Sequence, residues 1–141
     1  MVTRPGSHNA VRDVVTVGYD TATNVVSVVG GKARTLSALA RDGFPVPPAV
    51  VLTTSACARV AAASGEVPAE IRAAIAAALG GLGGGGGRLA VRSSAVEEDS
   101  RAASYAGAFR SVLNVAAADL GAVCDAVADV VASASEHRVA V

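Results

Sequence analysis

Tryptophan is absent from this chain of 141 residues, and only two phenylalanines and two tyrosines are present. A core assembled largely from alanine and valine has few large anchors, so each leucine, isoleucine and phenylalanine carries more weight than usual. Cysteine is scarce as well. Cys57 and Cys124 share no CxxC spacing, and reduced, semi-buried thiols in a cytosolic protein are the expectation. Neither sign of charge dominates, with 12 basic and 12 acidic residues. That balance gives no reason to expect a nucleic acid or an anionic membrane as partner. No apolar run approaches the ~20 residues of a membrane span. The polar start, MVTRPGSHNAVRD, lacks the apolar centre of a signal peptide. Lysine is the scarcest cation: eleven arginines stand against Lys32 alone. In a composition that uses arginine wherever any cation serves, one retained lysine marks a place suited to a slim ammonium, although a chance survivor is an equal reading.

What is present is globular: 52% hydrophobic and 17% charged residues, enough for one domain. Residues 1–13 read as a mobile leader and 14–141 as one body. Short strands are expected at 14–18 and 25–29, joined by a DTATN turn. Gly30-Gly31 then opens a helix over 32–42 with Ala33, Leu36, Leu39 and Ala40 as its apolar stripe and Gly43 just past its end. Phe44-Pro-Val-Pro-Pro is extended and feeds a strand at Ala49–Thr53. Thr54 or Ser55 caps a helix at 56–64. Pro68 opens another at 68–79, with Ile71, Ile75 and Leu79 on one face. The glycine-rich tract 80–87 specifies no single conformation and reads as a loop. Strands follow at 89–93 and 108–115, the second with imperfect alternation. A helix over 119–134, capped by Asp119, carries Leu120, Val123, Cys124, Val127, Val130, Val131 and Ala134 at helical spacing. The end at His137–Val141 reads as a truncated domain.

Two constellations carry chemistry. In Val29-Gly-Gly-Lys32-Ala33, glycines allow a polyanion near the backbone, helix-start amides point outward, and Lys32 adds charge. A plain turn with a solvated Lys32 is the simpler alternative on these residues alone. A Walker loop is excluded, because Val26 and Ala33 stand where glycine and Ser or Thr are required. In Ala90-Val-Arg92-Ser93-Ser94-Ala95, a guanidinium inside an apolar strand needs an anion. That anion is either a carboxylate of Glu97, Glu98 or Asp99, or a bound phosphate gripped bidentately, with Ser93 and Ser94 donating further hydrogen bonds.

Read together, VGGKxxxLxxLxxxGxPVPPxxVLTT and AVRSSAxxEDxxxxSxAG, spanning about Val29 to Arg138, resemble the pyruvate/phosphoenolpyruvate-binding region of a known family. Its members include pyruvate phosphate dikinase, phosphoenolpyruvate synthase and rifampin phosphotransferase. The resemblance implies an α/β fold, the first subdomain of an ATP-grasp nucleotide-binding domain, with a small mixed sheet and packed helices. It also implies ATP as ligand, with Lys32 and Arg92 on its phosphates, Gly107 ending a loop that covers them, and Ser111 where many members carry a nucleotide-contacting threonine. The family splits ATP into AMP, phosphate and a phosphohistidine that passes its phosphoryl group to pyruvate or, in the antibiotic-inactivating branch, to rifampin. Mg²⁺ ligands and the phosphohistidine domain are expected outside this chain, in cis or in trans. His8 and His137 stand in no Thr-Ser-His setting and are expected to be solvated or structural, and the acidic loop reads as solvated rather than metal-binding. This chain departs from the family at Ala108-Phe109, where Gln usually follows the glycine, and at Ser100-Arg101, where Pro is common. A degenerate module that binds a protein partner through its Ala/Val helices is the alternative function.

Overall fold

The computed structural model describes residues 12–17, 26–82, 87–94 and 110–140. Among these the order is β1 (Val14–Thr16), α1 (Val26–Val29), α2 (Gly31–Arg41), β2 (Val50–Leu52), α3 (Thr54–Ala62), α4 (Ala69–Gly81), β3 (Arg88–Arg92), β4 (Ser111–Ala116) and α5 (Leu120–Ala140). The expected α/β character is present. The strands form two antiparallel pairs, β1 with β2 and β3 with β4.

The first pair sets Val14 opposite Leu52 and Thr16 opposite Val50. It takes the place beside β1 that the sequence suggested for Val25–Val29. That valine run instead forms the single turn α1, a correction to the strand expectation. Strand propensity spans only ~1 kcal/mol per residue and yields to burial. Val29 is 2% exposed here, clustered with Val15 and Ala33. In α2 the buried line is Ala33 and Ser37, four residues apart, while Leu39 is 37% exposed. The expected stripe is therefore rotated, because small side chains let this helix approach its neighbours closely. Its end matches expectation. Gly43 takes φ +89°, Gly43 N–H donates to the Ala40 carbonyl, and Phe44 N–H donates to that of Leu39.

The larger cluster unites Ala56 and Val60 of α3, Ile71 and Ile75 of α4, Val115 of β4, and Val123, Cys124 and Ala126 of α5. Neither cysteine is in a disulfide, and burial pushes the Cys124 thiol up, so it stays protonated. α3 is capped by Thr53 rather than Thr54 or Ser55. β2 ends at Leu52, and extended Thr53 turns its hydroxyl back to accept from Ala56 N–H at 3.4 Å. Thr53 N–H also donates to the Asp13 carbonyl at 3.0 Å. Arg59 pairs with the Asp13 carboxylate at 2.7 Å and with Glu70 at 2.9 Å. Asp13 is thus held to the body, one residue inside the expected leader; residues 1–11 lie outside the described residues. Glu70 is held below the usual carboxylate range, first by its own backbone N–H and then by Arg59. This contribution is present above that range and fades as pH falls through the lowered value.

The α4 helix runs on through Gly81 into the glycine-rich tract, and α5 continues to Ala140 because no glycine or proline follows Gly121. Asp119 caps α5 as expected, its carboxylate accepting from Ala122 N–H at 3.0 Å. Thr53→Ala removes a buried cap and is expected to lower stability by ~1 kcal/mol. A urea melt followed by far-ultraviolet dichroism checks this; an unchanged midpoint would remove Thr53 from the account.

Candidate functional site

The chain passes from α1 to α2 through Gly30, whose backbone takes φ +84° and ψ 169°. Side-chain-bearing residues essentially never adopt that conformation. A second constraint coincides with it: a Cβ on Gly30 would lie 1.1 Å from the Ser94 carbonyl oxygen and 2.9 Å from Ser94 Oγ. The glycine is therefore needed for close approach, as the sequence suggested. What approaches it is the second constellation's own backbone rather than a ligand. Ala33 N–H donates to Ser94 Oγ at 2.8 Å, a bond between residues 61 positions apart. The Gly-Gly-Lys and Val-Arg-Ser-Ser blocks are thus joined at the start of α2.

Lys32 occupies the second position of α2 and is half-buried. On the other side of the junction, β3 alternates regularly: Leu89 and Val91 face the core, while Arg88, Ala90 and Arg92 are exposed. Arg92 therefore projects from the outer face at the strand's last position. The expectation that it lies within apolar surroundings is corrected, since alternation along a half-buried strand turns it toward solvent. No desolvation forces it to pair internally, and a guanidinium so placed is accessible to an anion from outside.

Directly across from Arg92 stands Ser111, the first residue of β4 and also exposed. Opposed residues of an antiparallel pair share a face, so these two candidates lie side by side. Farther along, Leu89 pairs with Val115 but Val91 pairs with Val112, which leaves Leu113 and Asn114 opposite Ala90. This bulge, with Asn114 at φ 60°, explains the imperfect alternation read from the sequence. It keeps both Val112 and Val115 inward and leaves Leu113 59% exposed. Arg88 Nη1 donates to the Asn114 carbonyl at 3.2 Å and supports the bulge. Arg110 N–H donates to Ser133 Oγ of α5 at 3.1 Å, fixing the approach to Ser111. The sequence reading missed Ser133; its one available signal was a polar residue amid the alanines and valines of α5.

The structure thus gathers Lys32, Arg92, Ser93, Ser94 and Ser111 around one junction. Traced from Lys32 through Ala33 and Ser94 to Arg92, the two cations' Cα atoms are no more than roughly 15 Å apart. Gly107, the acidic residues 97–99 and the departures at 100–101 and 108–109 lie outside the described residues. Among the described residues no helix is long and apolar enough to cross a membrane, and no three His, Cys, Asp or Glu side chains gather in a metal-binding group.

No solved structure matches this chain. The prodigiosin synthesizing transferase PigC of Serratia marcescens is 36% identical to it over 107 residues, which cover 62% of this chain and 12% of that protein. The chain therefore spans only a small part of the length of the relative it matches. The family model described as pyruvate phosphate dikinase, AMP/ATP-binding domain, matches residues 59–141, which include Arg92, Ser93, Ser94 and Ser111. Lys32 precedes the matched residues and is joined to them by the Ala33–Ser94 hydrogen bond. With more than half of its residues matched, this chain belongs to the pyruvate phosphate dikinase AMP/ATP-binding domain family.

Proposed function

We propose that this chain grips the phosphates of ATP on behalf of a larger ATP-dependent phosphotransferase. The observation that carries the reading is the junction itself: the Lys32 helix start and the Arg92 strand end meet at Ser94. In this reading Lys32 supplies a compact charge beside the helix-start amides, and Arg92 supplies a planar fork from the exposed sheet face. Ser93 and Ser111 supply hydroxyls near Arg92, Ser94 stands where the two blocks meet, and Gly107 is proposed to supply backbone contacts to the phosphates. Phosphoryl transfer asks mainly for positioning and charge neutralisation, which such groups provide without covalent chemistry. No catalytic residue is assigned to this chain.

The overall reaction proposed is the transfer of a phosphoryl group from ATP to a histidine and then to pyruvate or a similar acceptor. The phosphohistidine domain and the second half of an ATP-grasp fold would be supplied by other segments or chains. In this reading the carboxylates that hold Mg²⁺ belong to that second half.

Thermal denaturation with and without Mg-ATP tests the reading. A ligand at one hundred times its Kd stabilises the folded state by about 2.7 kcal/mol. The melting temperature is expected to rise with nucleotide at millimolar concentration; a melt that does not move would favour a module that binds a protein partner. Arg92→Ala is expected to weaken ATP binding by about 1.5–3 kcal/mol, the scale of a hydrogen bond to a charged group. Because Arg92 is exposed, the same change should leave stability without ligand within about 0.5 kcal/mol. Calorimetric titration and a urea melt together check the two halves of that expectation.

A further inference from the structure

The two cations are anchored in different parts of the core. Lys32 rides on α2, whose Ala33 is buried with Val15 and Val29. Arg92 ends β3, whose Leu89 and Val91 pack with Val115 against the cluster formed by α3, α4 and α5. Any ligand that needs both charges requires these two units to hold a fixed separation. Ser94, two residues beyond Arg92, meets the start of α2 through two of its groups. Its hydroxyl accepts the Ala33 amide at 2.8 Å. Its carbonyl lies so close to Gly30 that a Cβ there would come within 1.1 Å of the oxygen. Chemically, a serine hydroxyl that accepts a backbone N–H does what a helix cap does, but here the cap arrives from another element of the fold.

We propose that Ser94 is a positioning residue that sets the spacing between Lys32 and Arg92, acting on nucleotide through Lys32 rather than by its own contact with phosphate. The proposal rests on the nucleotide reading above. It places Ser94 apart from Ser93 and Ser111, which are left as the hydroxyl donors on the Arg92 side. It also accounts for glycine at position 30 through the approach of Ser94, without requiring a phosphate at that atom.

The test uses the full chain with Ser94→Ala, Ser94→Thr, Lys32→Ala and the double variant Ser94→Ala/Lys32→Ala. Amide hydrogen exchange at Ala33, measured without nucleotide, reports the contact. Affinity for Mg-ATP, measured by calorimetric titration, reports its consequence. Ser94→Ala is expected to speed Ala33 exchange and to weaken ATP binding by about tenfold, the scale of a lost helix cap. In the Lys32→Ala background the same change should alter affinity by less than about twofold, because coupled residues do not contribute independently. Ser94→Thr, which keeps the hydroxyl, should restore both readouts. An undiminished tenfold loss in the Lys32→Ala background would make Ser94 a direct ligand and overturn the proposal. Faster exchange with unchanged affinity would overturn it as well. If the wild-type chain protects Ala33 but binds no Mg-ATP, the nucleotide reading fails and the positioning role falls with it, while the exchange data identify Ser94 as a structural cap.

Discussion

Gly30→Ala is expected to lower stability by about 2–6 kcal/mol and to abolish measurable ATP binding. Two separate costs add. Alanine at φ +84° and ψ 169° occupies a backbone region essentially confined to glycine, a strain of about 1–3 kcal/mol. Its Cβ would also lie 1.1 Å from the Ser94 carbonyl oxygen and 2.3 Å from the carbonyl carbon. Backbone atoms cannot swing aside as a side-chain tip can, so α2 and the end of β3 must separate, at a cost on the scale of overpacking, about 1–3 kcal/mol. Separation breaks the Ala33–Ser94 bond and moves Lys32 away from Arg92. Gly43→Ala is the informative comparison. Gly43 also has positive φ, but nothing lies within 4 Å of its added Cβ. It should cost about 1–2 kcal/mol and leave nucleotide affinity unchanged. Equal losses for the two variants in a urea melt would show that conformation alone, and not the approach of Ser94, explains position 30.

The second large effect is expected in the core. Ile71 is fully buried on the first turn of α4, among Ala56 and Val60 of α3 and Val123, Cys124 and Ala126 of α5. Ile71→Ala should cost about 3–5 kcal/mol, the upper part of the range for such truncations. The neighbours are mostly alanine and valine, which are short and cannot reach into the space vacated. A chain of this length is stabilised by roughly 7–20 kcal/mol in total, so one deletion removes a large share. A urea-midpoint change corresponding to less than ~1 kcal/mol would mean that the cluster relaxes around the gap and is not the close-packed centre it forms in this fold.

Much of the architecture is legible in the sequence. The α4 face of Ile71, Ile75 and Leu79, the Asp119 cap and the Gly43 terminus follow from short-range rules, and the structure keeps all of them. The failures share a different cause. Val26–Val29 has strand-forming residues, yet β2 pairs with β1 and leaves that run to turn as α1. A pairing between residues some forty positions apart leaves no local mark. The same holds for Ser37, which its hydroxyl keeps off the expected apolar stripe and tertiary contact buries completely. At the site, the chemistry of Lys32 and Arg92 was legible as residue type, but the environment of Arg92 was not. The sequence presents it within an otherwise apolar strand, whereas alternation puts it on the open face beside Ser111. Ser94 shows the limit most clearly. Nothing near it in sequence reveals that its hydroxyl caps a helix 61 residues earlier.

Titration of the isotope-labelled chain with Mg-ATP, followed by backbone amide resonances, tests most directly whether one polyphosphate spans both constellations. The amides of Lys32, Ala33, Arg92, Ser94 and Ser111 are predicted to shift together along one binding curve with a common Kd, and Arg92→Ala should weaken the response at Lys32 as well. Shifts confined to one side of the junction, or two sides that titrate with different constants, would contradict a single shared phosphate site.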